Sequence, residues 1–318
     1  MITKDKLIIT TFVAGIIAVY AVEILLIAVF IFNSPEAQET ENILLSKPAV
    51  IVHLLAVTGI VCFLYGYFIE PYRVEVKKIV VKTNKLSATS IRLVQISDTH
   101  CDKKPRNEKR LVETVNACKP DIIVFTGDTL NLNTASALPL FKETMKNLKA
   151  NLGKLAVRGN VDVWYLPDLD FFGDTGFEEL DKKTVTLQKN GEEICVSGLS
   201  CECSRAFGEL LESVPENRFS IFLYHYSDLV EDLGNLNVDL YLCGHTHGGQ
   251  VVLPIFGALV TLSKFGKKYE SGMYAVNDTI LYVNRGIGTE GGIAPRVRFL
   301  ARPEITVFDI QPKKNPVG

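Results

Sequence analysis

The stretch Leu93-Val94-Gln95-Ile96-Ser97-Asp98-Thr99-His100 decides how the rest of the chain is read. An apolar, β-prone run closes on a carboxylate and an imidazole two positions apart, and side chains at i and i+2 of an extended segment share a face. Both groups can therefore point at one ion. The same pattern of strand and polar end returns in Phe125-Thr126-Gly127-Asp128, Val157-Arg158-Gly159-Asn160-Val161-Asp162, Leu223-Tyr224-His225 and Cys243-Gly244-His245-Thr246-His247-Gly248-Gly249. Glycine ahead of the polar residue lets the backbone turn sharply and sets the side chain at a rim. Four of the five histidines stand at such ends, the exception being His53. A lone Asp-x-His or Gly-Asp pair arises by chance, and a lone histidine is usually structural. Five such pieces in order point to a metal-assisted catalytic site.

Around these ends, short β-rich runs recur at 74–81, 91–96, 122–125, 155–157, 194–196, 219–224, 240–242, 251–253, 280–283 and 305–308. Helix-like stretches fall at 107–118, 135–148 and 204–213. Strands interleaved with helices early and mostly strands late predict a mixed α/β (α+β) sandwich. No internal repeat is visible.

Asp98-x-His100, Gly127-Asp128, Gly159-Asn160-x-Asp162, His225 and Gly244-His245-x-His247, in this order, resemble the calcineurin-like metallophosphoesterase family. The resemblance covers residues 73–310. It is most similar to a bacterial membrane-associated branch that continues as in Gly248-Gly249-Gln250 through Leu253-Pro254 and ends near Arg302-Pro303-Glu304-Ile305. The resemblance implies a four-layer αββα sandwich and two divalent metal ions. Asp98, His100 and His247 would hold the first ion, Asn160, His225 and His245 the second, and Asp128 would bridge them. Asp98, Asp128, Asn160 and His245 would be the catalytic set. Mixed carboxylate, amide and imidazole donors suit Mn²⁺, with Fe or Zn²⁺ as alternatives. The implied reaction is metal-assisted hydrolysis of a phosphodiester or pyrophosphate bond.

One position departs from the family pattern. Val161 stands where members commonly place a histidine thought to assist the leaving group. Without it, an alkoxide leaving group forgoes general-acid help of about 10²–10⁴-fold, whereas phosphate departs unprotonated. A resembling branch that cleaves UDP-diacylglucosamine in lipid A synthesis also lacks this histidine and has arginine there. The favoured substrate is therefore a UDP-2,3-diacylglucosamine-like nucleotide lipid. The alternatives are a broader phosphodiesterase on glycerophospholipid or small substrates, and a non-catalytic membrane protein that binds a lipid headgroup. A complete ligand set argues against the last.

Toward the N-terminus the solvent changes. The chain has 318 residues, 34 basic against 36 acidic side chains and 47% hydrophobic residues, which excludes a disordered chain. The apolar excess lies in the first 70 residues. Residues 7–32 carry one charge, Glu23, and residues 48–69 none; each is long enough to cross a hydrocarbon core of about 30 Å. A signal peptide has a shorter core, and a second span follows at once, so two retained transmembrane helices are expected. Lys4 and Lys6 precede the first span, and Arg73, Lys77, Lys78 and Lys82 follow the second. The connection carries Glu36, Glu39 and Glu41 against Lys47. The positive-inside rule then puts both termini and the catalytic domain in the cytoplasm of a two-pass inner-membrane protein. Glu23 is costly at that depth and calls for a partner or polar pathway, unless it is protonated or near the interface.

The predicted organisation is a membrane anchor over 1–70 and a phosphoesterase domain over 71–318. The second part keeps 31 of the 34 basic and 30 of the 36 acidic residues, a balance that gives no footprint for nucleic acid. The expected partners are a lipid or nucleotide-lipid substrate and the bilayer. The seven cysteines, Cys62, Cys101, Cys118, Cys195, Cys201, Cys203 and Cys243, show no framework spacing and read as thiols of a reducing compartment. Trp164, Tyr165, Phe171 and Phe172 line a pocket or fill core. Arg285-Gly286-x-Gly288 through Gly291-Gly292 reads as a loop sooner than a phosphate cradle. Arg158, Arg296 and Arg298 are candidates to steady a phosphate, or surface charges.

Overall fold

A computed structural model describes residues 3–32, 42–132, 134–291 and 295–313. The chain divides into two compact units, Met1–Ile69 and Glu70–Gly318.

In the first unit, α1 (Thr3–Phe32) and α2 (Lys47–Phe68) are the predicted apolar helices. Proline is tolerated near the start of α2, where its missing N–H has no helical acceptor to lose. Stretches 6–32 and 47–72, with mean hydropathy 2.7 and 2.2, are long and apolar enough to cross a membrane. Glu23 has a partner: its Oε2 lies 2.7 Å from His53 Nδ1 on the other helix. The Tyr20 hydroxyl donates to the Ala56 carbonyl at 3.0 Å nearby. Glu23 and His53 thus satisfy each other. The acidic connection with Glu36, Glu39 and Glu41 lies outside the described residues, as does Gly292.

The second unit is a sandwich of two six-stranded sheets. The first sheet runs β1 (Glu75–Thr83), β14 (Glu304–Pro312), β2 (Ile91–Ile96), β3 (Ile122–Phe125), β4 (Gly153–Ala156) and β5 (Phe177–Glu179). The second runs β12 (Gly272–Val276), β13 (Thr279–Val283), β9 (Leu240–Cys243), β8 (Phe219–Leu223), β7 (Glu192–Gly198) and β6 (Lys183–Lys189). Strands β2 through β5 are parallel, as are β7, β8, β9 and β13. All their C-terminal ends therefore open on one side of each sheet, where ligands collect in α/β folds.

Burial on both faces explains why the central strands read as uninterrupted apolar runs. One face of each sheet meets the other through Leu93, Val124, Ile221 and Leu242. The outer face of the first sheet carries Val94, Ile123 and Phe125 against α3 (Glu108–Ala117) and α4 (Leu138–Lys146), through Leu111, Val115, Phe141 and Met145. The outer face of the second packs Phe222 and Tyr241 against Leu211 of α6 (Phe207–Glu212). These are the four predicted layers. Three strands of these two sheets have no counterpart in the sequence reading: β5, β6 and β12, each at the edge of its sheet. Edge strands face water on more sides, so β6 carries Thr184, Thr186 and Gln188 and β5 carries Glu178 and Glu179, whereas β12, Gly272-Met273-Tyr274-Ala275-Val276, is apolar but short and opens on a glycine.

Candidate metal centre

The five polar strand ends meet at one rim. The donor atoms of Asp98, His100 and His247 lie within 4.8 Å of one another, and so do those of Asp128, His225 and His245. Between the groups, His100 Nε2 is 3.7 Å and His225 Nε2 3.3 Å from Asp128 Oδ2. Asn160 Oδ1 is 3.1 Å from His225 Nε2. All seven residues singled out by motif are thus together, at the first positions after β2, β3, β8 and β9 and at the start of α5 (Asn160–Tyr165).

The local geometry differs from the extended pair inferred for Asp98 and His100. Asp98, His100, Asp128, His245 and His247 all have left-handed backbones, with φ from 39° to 68°. Side chains converge because the chain coils after each strand, at about 1–3 kcal/mol per strained residue. Surrounding packing holds these conformations. Ile287 N–H donates to the Ser97 carbonyl at 3.0 Å and Gly288 N–H to the Asp98 carbonyl at 2.7 Å. The 285–291 loop therefore spends these amides on the backbone behind Asp98, which agrees with its reading as a loop. Two motif glycines answer to close approach and not to φ. A Cβ on Gly159 would collide with the Asp128 carboxylate, and one on Gly244 with Ser97 and the Asp98 carboxylate.

Three buried imidazoles, a half-buried fourth (His245) and two buried carboxylates form the donor set of a cation site. Burial raises the Asp98 carboxyl to about 6, with Asp128 adding to the rise and His225 and His100 opposing it. Burial also opposes ionisation of Asp128, but His225, His100 and His245 outweigh it and hold that carboxyl low. Burial disfavours the charged form of His225 as well, yet Asp128 and Asp98 lift it to about 10. Burial and the neighbouring His225 drive His245 down to about 3. Burial, then His100 and Arg298, push His247 well down. Neutral His245 and His247 beside an ionised Asp128 are what metal ligation requires, and His225 would give up its proton to a bound cation.

Two supporting residues carry more than the sequence reading assigned them. Asp162, fully buried, accepts from the backbone N–H groups of Asp128 and Thr129, each at 2.8 Å, and from that of Gly159 at 2.9 Å. Its place in the Gly-Asn-x-Asp series was the available signal. Arg298 is neither a surface charge nor a phosphate clamp. It is fully buried, with Nη2 3.1 Å from His247 Nδ1 and 2.6 Å from the Gly288 carbonyl that it donates to. Arg158 is spent on Glu179 at 2.6 Å and on the ring of Phe171. Arg296 pairs with Asp102 and donates to the Thr289 carbonyl at 2.7 Å. Phe171 and Phe172 are core, whereas Trp164 and Tyr165 are exposed. The cysteines are free thiols.

A four-layer sandwich with two adjoining acid–imidazole groups at its strand ends defines a metal-dependent phosphoester hydrolase. Residues 91–249 match the calcineurin-like phosphoesterase family, and the chain belongs to that family. It is 32% identical over 266 residues to the uncharacterized metallophosphoesterase YkuE of Bacillus subtilis, covering 78% of this chain and 90% of that one. It is 24% identical over 283 residues to the UDP-2,3-diacylglucosamine pyrophosphatase LpxG of Chlamydia muridarum, covering 69% and 83%. Among solved structures it is similar to the phosphopantetheinyl hydrolase PptH of Mycobacterium tuberculosis, at 12% identity and a TM-score of 0.39, over 62% of this chain and 89% of that one.

Proposed function

We propose that this phosphoesterase cleaves a phosphodiester or pyrophosphate bond in a membrane lipid or lipid precursor, with a UDP-2,3-diacylglucosamine-like molecule as the favoured substrate and Mn²⁺ as the favoured metal. Asp98, His100 and His247 take one ion, Asn160, His225 and His245 the other, and Asp128 stands between them. The ions, when bound, activate water and neutralise phosphoryl oxygens. The protein's own part is to hold donors and exclude other chemistry. Asp162 aims Asp128 through the backbone, and Val161 donates its N–H to Asp128 Oδ1 at 2.9 Å.

Val161 carries the choice of bond. Its side chain is 1% exposed and has no proton to give, so a leaving group that needs no protonation suits this site. The similarity to a diacylglucosamine pyrophosphatase and two helices apolar enough to span a membrane support a lipid-bearing anhydride. The test is kcat/KM for a UDP-diacylglucosamine-type anhydride and for an alkyl phosphodiester, in wild type and Val161→His, at one Mn²⁺ concentration. Wild type should prefer the anhydride, and the histidine should help mainly the alkyl ester. A wild-type preference for the alkyl diester would replace this reading with the broader phosphodiesterase.

A further inference from the structure

Beside the metal centre stands an apolar projection that the hydrolytic chemistry does not use. After His247 the chain forms a hairpin of β10 (Val252–Leu253) and β11 (Gly257–Ala258), and its tip is Ile255-Phe256. Ile255 is fully exposed and Phe256 and Leu262 are about half exposed. The hairpin is joined to the site through Gly249, which packs tightly against Ala258.

We propose that this hairpin tip inserts into the surface of an anionic bilayer, so that the rim of the metal centre rests on lipid. The composition fits an interface between hydrocarbon and headgroups. Lys267 Nζ lies 3.4 Å from the Phe256 ring centroid, and Lys264 Nζ 5.2 Å from that of Phe265. An ammonium held over an aromatic face pairs an apolar ring that can enter hydrocarbon with a charge that suits headgroup depth. Juxtamembrane lysines are drawn to anionic lipid. Ile255 has a left-handed backbone at φ 69°, an expensive conformation for a β-branched residue that packs against nothing in water. Two helices of the same chain are long and apolar enough to sit in a bilayer, which supplies the occupant. This docking shares only the bilayer with the lipid-substrate reading, and its test contains no substrate, so either can fail alone.

The chain has one tryptophan, Trp164, so Trp164→Phe combined with Ile255→Trp places a single reporter at the tip. The full chain, in nanodiscs of phosphatidylcholine and phosphatidylglycerol, should show blue-shifted emission protected from aqueous iodide. Most of that emission should be lost when the acyl chains carry bromine. Phe256→Trp in the same background should behave alike. Adding Lys264→Gln and Lys267→Gln should weaken the bromine quenching. Water-like emission, open to iodide and indifferent to bromine in both reporters, would overturn the proposal. Quenching unaffected by loss of both lysines would overturn its anionic-headgroup part.

Discussion

Asp162 holds Asp128 by the backbone: its Oδ2 accepts the Asp128 N–H at 2.8 Å and the Gly159 N–H at 2.9 Å, tying the turns after β3 and β4 to one carboxylate. Its other oxygen takes the Thr129 N–H at 2.8 Å and the Thr129 hydroxyl at 2.6 Å. Asp162→Asn puts an amide donor against donors. Leaving such buried groups unsatisfied costs about 1–3 kcal/mol each. We expect bound metal and kcat to fall together in Asp162→Asn, with the protein still folded by circular dichroism. Normal metal content by elemental analysis would show that Asp128 is held without it.

Asp128→Ala should be more severe for metal than loss of any residue proposed to serve one ion, because on the proposed assignment Asp128 would serve both. Elemental analysis should show neither ion retained and turnover of a synthetic phosphodiester abolished. Near-normal turnover would contradict a two-ion site with Asp128 at its centre.

Metal should stabilise the catalytic unit through mass action. Binding to the folded state alone contributes about 2.7 kcal/mol per site at roughly a hundredfold excess over Kd. A domain of this size shifts about 2–4 °C per kcal/mol. Thermal unfolding in Mn²⁺ against chelator should therefore differ by roughly 5–10 °C for one ion and more for two. The shift should vanish in Asp128→Ala. An unchanged Tm in wild type would deny that these donors bind the ion.

Arg298→Met removes a buried guanidinium that donates to the carbonyls of Arg285, Gly288 and Ala301 at 2.7, 2.6 and 2.9 Å. Breaking a buried charged network costs about 3–5 kcal/mol. Arg298→Lys should rescue little, since an ammonium cannot span carbonyls arranged around a planar fork. Urea unfolding measures both variants. Full rescue by lysine would mean that charge alone matters there.

The orientation expected from charge placement is checked with reporters. A fusion after Gly318 should behave as cytoplasmic, and one within residues 33–47 as external. The reverse pattern would overturn the topology and place the metal centre on the other side of the membrane.

Sequence alone carried the candidate ligands, because the residue types that bind cations are rare and fall at the ends of runs whose apolar character comes from burial on both faces. It also carried the two long helices, since length and hydropathy are local properties. Only tertiary structure decided how the ligands converge. Left-handed φ at Asp98, His100, Asp128, His245 and His247 is imposed by neighbours such as the 285–291 loop, and no residue type but glycine announces that conformation. The same holds for Arg298, whose charge reads as surface until its carbonyl partners are folded around it. Glu23 and His53 likewise lie 30 positions apart and become a pair only when two helices pack. Edge strands β5 and β6 are not legible in composition because much of their environment is water, and β12 is too short to stand out, so pairing with a neighbour makes them strands.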